Sequence, residues 1–185
     1  MKLISIIFAI LFFTITSFSQ EEIQKGTYNV AGSLSFSSSS QDYSDGKQTE
    51  LSITPQIGYF FINNFALGIN LQYQKNDTDA YSITTWGIGP MTRFYIGKNI
   101  IHPFIELSFL YGETMPDETD AMIISRKIGV VFGLDYFITN SVALESALSY
   151  TFDSMLLTGV YRSYYSDDEI MKRTIKFAIG LNIFL

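Results

Sequence analysis

Along residues 174–185 large apolar side chains fall on every second position. Ile175, Phe177, Ile179, Leu181, Ile183 and Leu185 share one face of an extended chain, and Thr174, Lys176, Ala178, Gly180 and Asn182 share the other. A period of two predicts a strand, not a helix. Seven earlier segments carry the same pattern, at 27–37, 49–60, 65–74, 82–96, 102–112, 124–137 and 142–152. The second sets Leu51, Ile53, Ile57 and Tyr59 against Ser52, Thr54, Gln56 and Gly58, and the third sets Leu67, Ile69, Leu71 and Tyr73 against Ala66, Asn70, Gln72 and Gln74. Pro55 has no N–H for a ladder, which predicts a local bulge in the second strand.

The connections are short and long by turns. Tight turns are expected at 62–64, 97–101 and 139–141, and polar loops at 38–48, 75–80, 113–121 and 153–171. Two of the tight turns echo each other: Tyr59-Phe60-Phe61-Ile62-Asn63-Asn64-Phe65-Ala66-Leu67 and Tyr136-Phe137-Ile138-Thr139-Asn140-Ser141-Val142-Ala143-Leu144. Eight strands with tight turns at one end and long loops at the other predict an all-β, antiparallel up-and-down barrel.

Composition decides which face is outside. Charged residues make up 16% of the chain and aromatic residues another 16%, where soluble domains carry about 25% charged. Beyond the leader no segment approaches the roughly 20 apolar residues of a spanning helix. A chain of this kind crosses a bilayer only as a closed barrel, which satisfies every backbone polar group. One face of the strands is crowded with Gly, Ala, Ser, Asn and Gln and carries Arg93, Glu106, Lys127, Asp135, Glu145 and Lys176. Small residues fit the narrow interior of eight strands. The other face ends in aromatic residues at two levels, Tyr28, Tyr59, Phe94 and Tyr136 near the tight turns and Tyr73, Trp86, Tyr111 and Tyr150 near the loops. Two such girdles around an aliphatic band predict an eight-stranded transmembrane β-barrel. A soluble lipid-binding barrel, with its large apolar residues inside, is the opposite arrangement.

The first residues stand apart. Met1-Lys2 is a cationic start, 3–13 an apolar run and 14–20 a small and polar exit with Ser17 and Ser19. Residues 1–19 are expected to be a cleaved signal peptide and 20–185 the barrel domain. The apolar run is shorter than a spanning helix. The chain has no cysteine, so disulfides and thiolate metal sites do not arise, and its net charge of −6 without a basic stripe argues against nucleic acid.

The signal ending in Ser-Phe-Ser-Gln, Pro55-Gln-Ile-Gly-Tyr-Phe, Gly87-Ile-Gly-Pro-Met-Thr-Arg93-Phe-Tyr, the turn Phe137-Ile-Thr-Asn-Ser-Val-Ala-Leu-Glu145 and the apolar final strand occur in that order. Together they resemble the outer-membrane protein β-barrel domain family of small eight-stranded bacterial barrels, over essentially the whole chain after the leader. The resemblance implies a place in the bacterial outer membrane, with extracellular loops and periplasmic termini. Its partners would be outer-membrane lipids and the barrel-assembly machinery, which would read Phe177, Ile179, Leu181, Ile183 and Leu185 as an assembly signal. That signal commonly ends in Phe, whereas here Leu185 is last and Phe184 sits one place off register.

The most concrete candidate site is a pair. A hairpin symmetric about the turn at 97–101 places Arg93 opposite Glu106 and Tyr95 opposite Phe104 on the lumen face, as a structural ion pair in preference to a gate. Lys127 or Lys176 is expected to neutralise Asp135 and Glu145. Acyl transfer or deacylation, which the resemblance would suggest among barrel enzymes, wants a His beside a Ser and a carboxylate near the outer leaflet. The only histidine, His102, lies beside a tight turn and reads as an interfacial residue, so no catalysis and no cofactor are expected. Asp117, Glu118 and Asp120, or Asp167, Asp168 and Glu169, read as solvated tips and not as metal ligands, and Tyr161, Tyr164 and Tyr165 read as a disordered or ordinary loop in preference to a contact for an extracellular ligand. The expectation is a membrane protein of structural or surface-interaction role with a plugged polar lumen. A narrow channel for small or apolar solutes and an adhesin or receptor acting through its loops are the alternatives.

Overall fold

The computed structural model describes residues 23–41, 44–77, 82–97, 99–116, 123–157 and 170–185. The expected signal peptide, the acidic groups at 117–120 and 167–169 and the tyrosines at 161, 164 and 165 lie outside the described residues. The described chain forms β1 (Tyr28–Gln41), β2 (Ser44–Ile62), β3 (Phe65–Asp77), β4 (Ser82–Tyr95), β5 (Ile101–Pro116), β6 (Ile123–Phe137), β7 (Val142–Leu157) and β8 (Ile170–Phe184). Each strand pairs antiparallel with the next and β8 pairs with β1, giving a closed eight-stranded antiparallel barrel.

Several strands run further than their alternation. β1 and β2 stay paired from Tyr28↔Tyr59 to Ser40↔Lys47, β5 reaches Pro116 and β7 reaches Leu157, through stretches expected as loops. The reason is that a ladder is built from backbone groups and continues past the point where side chains stop alternating. Pro55 makes no bulge. It lies opposite Gly32 in unbroken register, and on the other side the ladder resumes at Gln56↔Asn70 in the register of Ile53↔Tyr73. Thr54 and Pro55 drop out of the β2–β3 pairing, and the strand path is kept.

Short turns demand particular backbones. Asn64 adopts φ 63° in the turn from β2 to β3, and Gly97 adopts φ 96° between β4 and β5, a region open to Gly and tolerated by Asn. The seam between β1 and β8 runs from Asn29↔Phe184 to Leu34↔Ile179. At its end the Tyr28 N–H donates to the Leu185 carbonyl at 2.9 Å and the Leu185 N–H to the Tyr28 carbonyl at 2.8 Å. The final residue of the chain thus closes the cylinder.

The sides divide by size and polarity. Trp86 is 57% exposed and Phe132 58%, and Leu148, Phe177, Ile179, Leu181 and Leu185 also face outward. Tyr28, Phe94 and Tyr136 are exposed at the end with the short turns, and Trp86 and Tyr111 at the end with the loops. Tyr59, Tyr73 and Tyr150 are half-buried beside their neighbours, with ring centroids 5.0 Å apart for Tyr28–Tyr59 and 4.5 Å for Tyr73–Trp86. An apolar exterior of this kind is stable only against lipid. The buried apolar cluster sits inside, at the turn end, and joins Ile23, Phe60, Ala66, Tyr95, Phe104, Phe137, Ala143 and Phe184.

Candidate functional site

Inward positions on all eight strands converge on one layer of the lumen. Arg93 is 1% exposed and spends all five of its N–H donors there. Its Nε and Nη2 donate to Glu106 Oε2 at 2.9 and 2.7 Å, Nη2 also to Gln56 Oε1 at 2.8 Å, and Nη1 to Glu145 Oε2 at 2.7 Å and to the Tyr95 hydroxyl at 3.2 Å. The two Arg93 bonds to Glu106 meet on a single oxygen. Oε1 of Glu106 is left to accept from Gln56 Nε2 and Asn70 Nδ2, at 3.3 and 3.2 Å. The guanidinium carbon lies 4.1 Å from the centroid of the Phe104 ring, a cation–π contact.

The layer continues through Asp135. It accepts from the Tyr95 hydroxyl at 2.8 Å and from Asn182 Nδ2, which also reaches Glu145 Oε2 at 2.9 Å. Asn29 Nδ2 contacts Asn182 Oδ1 at 3.4 Å, crossing the β1–β8 seam. Asn29, Gln56, Asn70, Arg93, Glu106, Asp135, Glu145 and Asn182 therefore supply one group from each strand, tied side chain to side chain. Buried charges are tolerable only when paired and hydrogen-bonded in this way.

Arg93 and Glu106 stand opposite each other across β4 and β5, and Tyr95 stands opposite Phe104. The lysine expectation is corrected. Arg93 neutralises Glu145 and Tyr95 and Asn182 hold Asp135, while Lys127 lies 3.7 Å from Asp153 and Lys176 pairs with Glu50. Both lysines sit further toward the loop end of their strands than the acids they were expected to meet, and register fixes that distance.

His102 is also corrected. It is not interfacial but 0% exposed, with its ring centroid 4.9 Å from that of Phe137 and, among the described residues, no hydrogen-bond partner on either ring nitrogen. Its neighbours close the turn end of the lumen: Phe137 stacks 5.0 Å from Phe184, and Tyr95 lies 5.5 Å from Phe104. Phe184, one place off the outward register, is by that parity part of this plug.

The lead-in to β1 adds a lid that periodicity could not reveal. The Ile23 N–H donates to Asn64 Oδ1 at 3.1 Å and the Asn64 N–H to the Ile23 carbonyl at 2.9 Å, and the Lys25 N–H donates to Asn63 Oδ1 at 2.9 Å. Asn63 and Asn64 thereby hold Ile23 against the aromatic cluster. The paired Asn residues of that turn were the signal available in the sequence.

Above the charged layer, toward the loops, lies a cavity of about 300 Å³ lined by serine, threonine, glutamine and lysine with Leu110, Val131 and Met155 among them. Lys127 Nζ donates to Gln72 Oε1 at 3.1 Å and Lys176 Nζ to Gln74 Oε1 at 3.3 Å. At the end of β3, the Ser82 hydroxyl donates to Asp77 Oδ1 at 2.6 Å, and with Lys75 nearby holds that exposed carboxyl below its usual value. Among the described residues no group of three or more potential metal ligands occurs.

No protein-family model matches the sequence, and no curated protein matches it. Solved structures do. Neisserial surface protein A is similar over 86% of this chain and 97% of its own, at 17% identity and a TM-score of 0.64. The outer membrane protein OprG from Pseudomonas aeruginosa is similar over 91% of this chain and 99% of its own, at 12% identity and a TM-score of 0.56. The chain has the fold of the small eight-stranded outer-membrane barrels.

Proposed function

We propose that this protein is a non-conducting barrel of the bacterial outer membrane, with its termini and tight turns in the periplasm, its loops outside the cell, and a structural or surface-interaction role. The observation that carries this reading is the closure of the lumen: a charged layer drawing on every strand, backed by Phe60, Phe137 and Phe184 and covered by Ile23. Solute passing through would have to separate Arg93 from two buried carboxylates, a step costing several kcal/mol per ion exposed to an unpaired state. The similarity to a protein named for the neisserial surface and to an outer membrane protein supports the address. Exposed apolar positions of β8 would present the final strand to the assembly machinery as an extended apolar face.

Reconstitution into planar bilayers tests the closed lumen. The expected record is flat at moderate voltage, and steady unitary currents from the wild-type protein would overturn it in favour of a narrow channel. Protease shaving of intact cells tests the orientation, with cleavage expected in the long connections and none at the tight turns. Loss of cell or ligand binding on deleting 158–169 would assign the surface role to that connection.

A further inference from the structure

The lumen face of β3 is a row of carboxamides. Asn70, Gln72, Gln74 and Asn76 alternate inward along one strand and all line the same cavity. At about 3.3 Å per residue the row is about 20 Å long, running from the charged layer to the mouth. Its middle members are occupied by wall groups, Lys127 on Gln72 and Lys176 on Gln74. Its two ends are not: Oδ1 of Asn70 and Oδ1 of Asn76 are both buried and no donor among the described residues reaches either. Asn70 is 2% exposed, and its orientation is fixed because the other amide atom must be the one that donates to Glu106.

Orphaned buried acceptors of this kind call for donors. The chemistry of the cavity narrows what brings them. Among the described residues its lining charges are matched, Arg93, Lys127 and Lys176 against Glu106, Glu145 and Asp153, which disfavours an ionic occupant. Its other wall presents Leu110, Val131 and Met155 from β5, β6 and β7. Beside the row, Gly87 lies opposite Gln72, and a Cβ there would sit at ordinary van der Waals distance, 3.7–3.9 Å, from the Tyr111 carbonyl and the Gln72 side chain. A ring with a hydroxyl edge and a C–H face suits one amide wall and one aliphatic wall. Two orphan oxygens at opposite ends of the row require something longer than one ring.

We infer that the β3 carboxamide row is a binding site for the end of a neutral, narrow, polyhydroxylated chain of the oligosaccharide class, entering from the loop end with its hydroxyls on Asn76 and Asn70. This goes beyond the closed-lumen reading and does not require it, because the row lies on the loop side of the charged layer.

The test titrates the folded full barrel in lipid nanodiscs with maltotriose and with cellotriose, following the side-chain amide NMR signals of Asn70 and Asn76. Both signals are expected to shift saturably with at least one trisaccharide. Asn76→Leu removes an acceptor at the mouth and is expected to weaken binding about five- to tenfold, the worth of one hydrogen bond. Gly87→Leu adds an inward side chain packed directly on Gln72 and is expected to abolish it, with the heat-modifiability gel showing that each variant is folded. Absence of saturable shifts with both sugars, glucose binding as tightly as the trisaccharides, equal binding by a short polyethylene glycol that has no donors along its chain, or unchanged affinity in both variants would each overturn the inference.

Discussion

Arg93 on β4 reaches across the lumen to Glu145 on β7, Nη1 to Oε2 at 2.7 Å, although the two strands share no ladder. Its bond to Glu106 on the neighbouring strand is as short. One guanidinium thus braces the cylinder both along its wall and across its diameter, and the closed lumen follows from the second contact more than from the first.

Arg93→Ala should be the most costly single change in the charged layer. It leaves Glu106 and Glu145 buried without their cation, a loss of roughly 3–5 kcal/mol for breaking a buried pair. The measurement is the urea midpoint of the barrel folded in lipid, with the heat-resistant band on a gel as a second readout. A midpoint equal to that of the wild type would remove the bracing role.

Phe132→Lys separates a lipid-facing exterior from a watery one. Phe132 is 58% exposed, so in water the change would be close to neutral. Against hydrocarbon it should cost up to about 2–4 kcal/mol, the range found for Lys near the midplane of such barrels. Folding titrations into vesicles give the number directly, and an effect near zero would place this side of the barrel in water.

Gly133→Ala tests the seat of the cation–π contact. A Cβ at Gly133 would meet the Phe104 ring, which lies under Arg93. The ring must move, and overpacking of this kind costs roughly 1–3 kcal/mol. Adding Phe104→Leu should recover part of the loss, and strict additivity of the two changes would show that the ring is not the obstacle.

Phe184→Ala distinguishes a plug residue from an exterior one. Phe184 is buried against Phe137 and Phe60, so truncation should cost roughly 3–5 kcal/mol. Leu185→Ala, at an exposed position, should cost far less. The unfolding midpoints of the two variants in the same lipid settle the comparison, and equal losses would contradict the inward parity of Phe184.

Much of this barrel was legible beforehand because its determinants are local. Period two assigns every residue to a face, so the inward position of Arg93, Glu106, Asp135 and Glu145 follows from counting. Reflection about the turn at 97–101 sets Arg93 against Glu106, and the strands pair in that register. Strand ends were harder to read, since the ladders of β1, β2, β5 and β7 outrun their side-chain pattern. His102 was misread for a related reason: nearness to a turn suggested an interface, while its even position on β5 turned it into the aromatic plug.

The amino-acid sequence by itself determined the strand count, the two faces and the tight turns, all consequences of backbone pleat and turn chemistry within one hairpin. Only the tertiary structure decided which inward groups meet across the lumen, that Lys127 serves Asp153 and Lys176 serves Glu50, and that Ile23 is held beneath the plug by Asn64. Those contacts depend on the accumulated stagger of eight ladders closing on themselves, and no single pair of neighbouring strands contains that quantity.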